Sequence, residues 1–159
     1  MVLSKNWSTH MPMLIKLVQA TNGSVMELGA GLFSTPLLHW LCAEKRRRLV
    51  TYEDNEEYYK FSKTFQSRNH HIRLVKDWRK VPIKGHYSVI LVDHTTKRRA
   101  KDAIKWKDNA DYIILHDTEA PRCYGWDRVY PYFKYVYHWK GSHPQTSVVS
   151  NTQDLSWLN

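Results

Sequence analysis

Cysteine is almost missing from this chain. Cys42 and Cys123 are the only two among 159 residues, far apart and in no metal-type spacing. That excludes a disulfide-stapled scaffold and a cysteine zinc site, and it favours an intracellular, cytoplasmic setting. Long hydrophobic runs are missing too: none approaches the roughly 20 residues that span a bilayer. The first ten residues lack the layout of a secretory leader. Acids are scarce, 15 against 24 Lys plus Arg, for a formal net charge of +9. Such a balance favours an anionic partner: nucleic acid, a phosphorylated metabolite or a membrane surface. Repeats, low-complexity tracts and interdomain linkers are absent as well. The chain therefore reads as one domain over residues 1–159, with 1–22 an N-terminal arm and helix before the first strand. Hydrophobic residues make up 42% of it, enough for a substantial core and too many for general disorder.

The patterning alternates strand and helix, which implies a mainly parallel sheet covered on both faces. Residues 11–21 read as a helix entered through Pro12 and stopped by Asn22-Gly23. Strands follow at Val25 to Leu28, Arg48 to Tyr52, His71 to Val75, Tyr87 to Asp93 and Tyr112 to Asp117. Helices fall between them, at Thr35 to Ala43, from Glu56 onward, and over 97–108. Two late strands, Tyr135 to Trp139 and Thr146 to Val149, flank Gly141-Ser142-His143-Pro144, which suits a hairpin turn. Cys42 falls within an apolar helix and reads as buried and reduced. The basic run Lys45-Arg46-Arg47-Arg48 reads as the close of the second helix, where cations suit the negative end of the dipole. A second run, Lys97-Arg98-Arg99-Ala100-Lys101, directly follows a candidate active-site acid.

The most specific signal is Val25-Met26-Glu27-Leu28-Gly29-Ala30-Gly31-Leu32-Phe33-Ser34. A short apolar strand ends at a turn with two glycines and then enters a helix. This is how an α/β nucleotide site is built: backbone approaches the ligand, and the helix presents its free N–H groups. Glu53 closes the second strand 22 residues after Gly31, placed to accept from both ribose hydroxyls. Glu27-Leu28-Gly29-Ala30-Gly31 with Glu53 resembles the first and second cofactor motifs of the class I S-adenosylmethionine-dependent methyltransferases. Ser34, standing where a dinucleotide fingerprint has its third Gly or Ala, favours that family over NAD-binding proteins. So does the length, which leaves no room for a separate substrate domain. The resemblance implies a Rossmann-like, seven-stranded, mainly parallel α/β sheet with an antiparallel C-terminal edge hairpin. It implies S-adenosyl-L-methionine as cofactor, with Glu27, Gly29, Gly31, Ser34, Glu53, Asp77 and Trp78 as the residues around it. Asp77 would meet the adenine amino group. Trp78 suits either stacking on adenine or a place in the core.

The strand ends read Glu27, Glu53, Asp77, Asp93-His94 and His116-Asp117, all ionisable and all where open α/β sheets bind ligands. Asp93-His94 and His116-Asp117 are the catalytic candidates. They resemble sugar and macrolide O-methyltransferases in which aspartates after the fourth and fifth strands hold Mg²⁺. By that resemblance Asp93 and Asp117 are metal ligands and His94 or His116 removes the hydroxyl proton. The pattern departs at His116, which takes the place of one acid, and at Thr95-Thr96, where another acid is expected. His116 equally suits a buried hydrogen-bonding role. The run from Trp7-Ser8-Thr9-His10 to Val148-Val149-Ser150-Asn151 is also similar to small methyltransferase-like proteins of bacteria and their phages. Trp7 and His10 suit either a lid over the cofactor or an arm packed on the sheet. The aromatics Tyr124, Trp126, Tyr130, Tyr132, Phe133 and Tyr135 suit an acceptor pocket, core or a dimer surface.

Three functions follow as expectations. The first is methyl transfer to a small-molecule or sugar-like acceptor. The second is methylation of nucleic acid, favoured by the charge but without an Asn-Pro-Pro-Tyr-type motif. The third is a non-catalytic S-adenosylmethionine-binding module.

Overall fold

The computed structural model describes residues 5–159; the leader reading and the arm at residues 1–4 fall outside the described residues. Among the described residues seven strands are present: β1 Val25–Leu28, β2 Leu49–Glu53, β3 His70–Leu74, β4 Tyr87–Val92, β5 Ala110–His116, β6 Tyr135–Trp139 and β7 Thr146–Ser150. They form one sheet in the order β3-β2-β1-β4-β5-β7-β6. β1 to β5 are parallel. β7 runs antiparallel to both β5 and β6. The α-helices are α1 Met11–Ala20, α2 Ser34–Glu44, α3 Glu56–Lys63, α4 Thr96–Lys105 and the single turn α5 Pro121–Tyr124. This is the Rossmann-like architecture expected, with the antiparallel edge in place.

Side-chain alternation splits the core in two. Met26, Leu28, Val50, Ile90, Val92 and Ile113 pack with Trp106 and Trp126 on one face. Val25, Leu49, Val89, Leu91 and Ile114 pack with Leu14, Leu17 and Leu38 on the other. Central strands buried on both sides need continuous apolar sequence, as Tyr87 to Val92 shows. Of the late aromatics, Trp126 and Phe133 belong to this core and Tyr132 is exposed. Between β3 and β4 no α-helix forms. A 3₁₀ turn, Trp78–Lys80, takes its place, and the buried Trp78 indole fills the sheet face left uncovered.

The first basic run closes α2 through its backbone, with Lys45 at the C-cap and Arg46 at φ +51°. The N–H groups of Arg46 and Arg47 donate to Ala43 O and Cys42 O at 3.0 and 2.8 Å, while side chains of the run reach another helix. Lys45 Nζ donates to the carbonyls of Gln19 and Thr21 at 2.6 and 3.1 Å. Buried Arg47 donates to Val18, Thr21 and Gly23 at 2.6, 3.0 and 2.6 Å. Both cations cross over to satisfy the orphan carbonyls at the end of α1.

Strand order reverses between β1 and β4, so the loops leaving their carboxyl ends part there. Gly29 holds that crossing. Its φ is +95°, and a Cβ on it would lie 2.6 Å from both Asp93 O and His94 N. The glycine thus admits the β4 loop backbone.

Glu27 anchors the turn from below, where it is fully buried. Thr35 Oγ1 donates to it at 3.0–3.1 Å and accepts from Gly31 N–H at 3.0 Å. Thr51 Oγ1 donates to Glu27 Oε2 at 2.7 Å and contacts His70 Nε2 at 2.9 Å. Burial lowers His70 to about 4, so its ring is neutral. Nε2–H then donates to Thr51, and Nδ1 accepts from His39 Nδ1–H at 3.1 Å. Burial pushes the Glu27 carboxyl up to about 7, against the hydroxyl donors around it.

Gly29→Ala is expected to lower unfolding free energy by roughly 2–4 kcal/mol, read from the denaturant midpoint. Gly31→Ala, where the nearest obstacle is the movable Ser34 Oγ at 2.7 Å, should cost less. Glu27→Gln tests the buried carboxyl. Folded Glu27 keeps its proton up to about pH 7, while the unfolded chain releases it near 4.5. Between those values the folded state binds more protons, so this group's contribution to stability falls as pH rises. His10 and His70, both lowered to about 4, act in the opposite sense, so the comparison is with the variant. Wild-type stability relative to Glu27→Gln should drop by up to about 1.4 kcal/mol per pH unit across that window. Parallel stability–pH curves would show that Glu27 does not titrate there.

Candidate active site

A cavity of about 540 Å³ opens over the carboxyl ends of β1, β2, β4 and β5. Gly31 and Ser34 line it from the glycine turn, and Glu53 from the end of β2. Asp93 and His94 line it from the β4 loop, and His116 and Asp117 from the end of β5. Trp7 and His10 close it from the N-terminal arm, and Tyr124 from α5. The arm is pinned there by Thr9 Oγ1, 2.9 Å from His116 Nε2.

Four expected site residues lie elsewhere. Glu27 sits beneath the turn, and Gly29 is engaged by the loop crossing. Asp77 turns outward and grips Arg79 through both carboxylate oxygens, at 3.0 and 2.9 Å, beside a shallow depression beyond β3. Trp78 lies in the core, its ring 4.1 Å from His94 and its Nε1 donating to Asp54 Oδ2 at 2.9 Å. With a 3₁₀ turn where a crossover helix would stand, the indole is drawn inward as filling, which leaves it no free face for a ligand.

Glu53 is nearly buried. Oε2 accepts from Ala30 N at 2.6 Å, and Oε1 from Asp54 N and Asn55 N at 2.9 and 2.7 Å. Burial pushes its carboxyl up to about 7, against those three N–H donors. A carboxylate has about four lone-pair sites, so acceptor capacity remains on Oε2. Tying Ala30 to Glu53 also joins the β1 and β2 loops into one wall.

At the other end Arg99 dominates, and sequence reasoning missed it. Its guanidinium forks between two acids, 2.8 Å from Asp93 Oδ1 and 2.6 Å from Asp117 Oδ2. Nε donates to His94 O at 2.6 Å, and the plane lies 5.2 Å over the Tyr124 ring. The available signal was helical spacing: Arg99, Asp102, Ala103 and Trp106 form the buried stripe of α4 and its end. Asp102 accepts from His94 Nε2 at 2.8 Å and is held by Arg98 at 2.5 Å. His94 thus touches the cavity while its ring is fixed from behind.

Asp117 has φ +58°, a left-handed conformation costing roughly 1–2 kcal/mol. Arg99 and the Trp126 Nε1 donor to its carbonyl, 3.2 Å away, hold it there. His116 Nδ1 lies 3.2 Å from Asp93 Oδ1 and 3.5 Å from Asp117 Oδ1. Burial by itself would lower the His116 ring, but the two acids outweigh it and raise its pKa. Burial would raise Asp93, but His116 and Arg99 hold it below the usual carboxylate range. His10 stands edge-on to His116, ring centroids 4.8 Å apart, and burial lowers it to about 4.

The oxygen pair expected for magnesium does not fit that ion. Arg99 already bridges Asp93 and Asp117, so a divalent cation between them would have to displace a bound guanidinium.

No protein-family model matches the sequence, and no curated protein matches it. Solved structures do match in shape. The SAH-bound Podospora anserina methyltransferase PaMTH1 superposes with a TM-score of 0.73 at 11% identity, covering 89% of this chain and 76% of that one. Cofactor-bound Rv0187 from MTB gives 0.71 at 12% identity, over 96% of this chain and 83% of that one. An O-methyltransferase from Bacillus cereus in complex with SAH gives 0.63 at 16% identity, over 94% and 82%. The sheet order, the antiparallel edge and these likenesses agree: the chain has the class I S-adenosylmethionine-dependent methyltransferase fold.

Proposed function

We propose that this chain transfers the methyl group of S-adenosylmethionine to a hydroxyl oxygen of a small, sugar-like acceptor. The observation that carries the reading is one continuous cavity. The Gly31 turn and Glu53 form one end, and Asp93, His116 and Asp117 the other. Its volume lies within the range of about 300–1,000 Å³ typical of small-ligand sites. The cofactor would lie along the first end, its ribose on Glu53 Oε2. The acceptor would lie at the second, oriented by Asp93 and His116. Transfer forms an oxygen–carbon bond and breaks the carbon–sulfur bond in line, the hydroxyl proton passing to the Asp93–His116 pair and the sulfur leaving as S-adenosylhomocysteine. The cofactor supplies the reactivity, and the protein supplies alignment.

The engagement of cations from both basic runs supports a small acceptor over nucleic acid. Arg98 and Arg99, at the centre of the second basic run, are tied to Asp102, Asp93 and Asp117. Lys45 and Arg47 of the first run are engaged by α1. These four cations are engaged inside the fold and cannot track a phosphate backbone, although the formal +9 already subtracts the three acids. Among the described residues no helix is long and apolar enough to cross a membrane.

Glu53→Ala should weaken S-adenosylmethionine binding about tenfold or more by calorimetry, a loss of ~1.4 kcal/mol, with the circular dichroism spectrum kept. Unchanged affinity would remove Glu53 from the ribose. Asp93→Asn should retain cofactor affinity and lose turnover of hydroxylated acceptors to S-adenosylhomocysteine. Full activity in that variant would take Asp93 out of the reaction.

A further inference from the structure

We infer that His10, Asp93 and His116 form a site for one divalent transition-metal ion of the zinc type. This differs from the magnesium site considered above in position, in ligand atoms and in metal class, and it stands independently of the methyl-transfer reading. One ligand atom from each of the three residues lies within 4.8 Å of the others. Donors bound at about 2.0–2.1 Å in a tetrahedron stand roughly 3.3 Å apart, so small side-chain rotations close the set.

His10 supplies the second observation. It is 1% exposed, yet neither ring nitrogen has a hydrogen-bond partner among the described residues. A buried polar group without a partner costs about 1–3 kcal/mol, and a ligand at this position would satisfy it. His116 is prepared for the same task. Its Nε2 is held by Thr9 Oγ1 at 2.9 Å, which leaves Nδ1 facing Asp93. A hydrogen bond on the far ring nitrogen is what fixes tautomer and orientation in a metal-ligating histidine. Asp93 is oriented in turn by Arg99 at 2.8 Å. Together Asp93, Asp117 and Arg99 leave one net negative charge beside the histidines, so a cation is not repelled.

Two imidazoles and one carboxylate suit zinc, iron or cobalt better than magnesium, which prefers oxygen. Three protein ligands leave a coordination position open towards the cavity, the pattern of a catalytic rather than a structural ion. A water or acceptor oxygen bound there would give up its proton more readily.

The test uses the full chain, stripped with a chelator and titrated with Co²⁺ in the absence of S-adenosylmethionine. The expected result is one equivalent bound, with the visible absorption bands of low-coordinate cobalt. His10→Ala and His116→Ala should each weaken binding at least about tenfold, and Thr9→Val by a smaller factor. His138→Ala, on the edge strand β6, should leave it unchanged and so exclude adventitious histidine binding. His10→Gln, read with circular dichroism, separates loss of a ligand from loss of fold. The inference is overturned by absence of stoichiometric cobalt binding, or by binding that His10→Ala and His10→Gln leave intact. If stripped protein still binds S-adenosylmethionine while refusing cobalt, the metal site falls and the cofactor reading stands.

Discussion

The close approach of two backbones at Gly29 organises the rest of the molecule. Leu28 pairs with Val92 at the centre of the sheet, and the next residues diverge because the strand order reverses there. Gly29 at φ +95° lets the β4 loop pass within contact of the β1 loop. That passage sets where Asp93 and His94 leave the sheet. Buried hydroxyls then fix the glycine turn from below through Glu27, and backbone N–H groups fix it laterally through Glu53. The same two acids are pushed up to about 7 by burial, so the supports of the turn are sensitive to pH near neutrality.

From that crossing the chemical end of the cavity is assembled by one cation. Arg99 joins the β4 and β5 loops by bridging Asp93 and Asp117, and it reaches back to His94 O. A guanidinium suits this place because its planar fork meets two carboxylates at once while its face packs on Tyr124. Its presence changes the chemistry of the acids. They are no longer an open oxygen pair for a hard ion, and the unsatisfied donors nearby are imidazole nitrogens. That is why the inferred site is of the zinc type and not of the magnesium type.

Much of this was legible because it is local. A four-residue apolar strand, a turn with two glycines and a carboxylate 22 residues on are fixed by spacing alone, and Gly31 and Glu53 do meet at one cavity. Asp93, His94, His116 and Asp117 follow apolar strands, and parallel pairing brings such ends to one edge. Glu27 was equally visible as an ionisable residue at a strand end, yet it faces the buried hydroxyls of Thr35 and Thr51. The hydropathy of one residue does not say which face of the sheet it meets. Asp77-Trp78 misled for another reason. The connection after β3 forms only a 3₁₀ turn and no α-helix, so Trp78 serves as core.

Sequence by itself determined the alternation of elements, the glycine turn and the supply of acids and histidines at strand ends, because each rests on periodicity or on neighbours a few residues away. Tertiary structure decided the partners. Thr9 meets His116 across 107 positions, Arg99 meets Asp117 from the next element, and Lys45 and Arg47 cap a helix that ended some 25 residues earlier. Long charged side chains find counter-groups by distance in space, and that distance exists only once the sheet has closed and the loops have crossed.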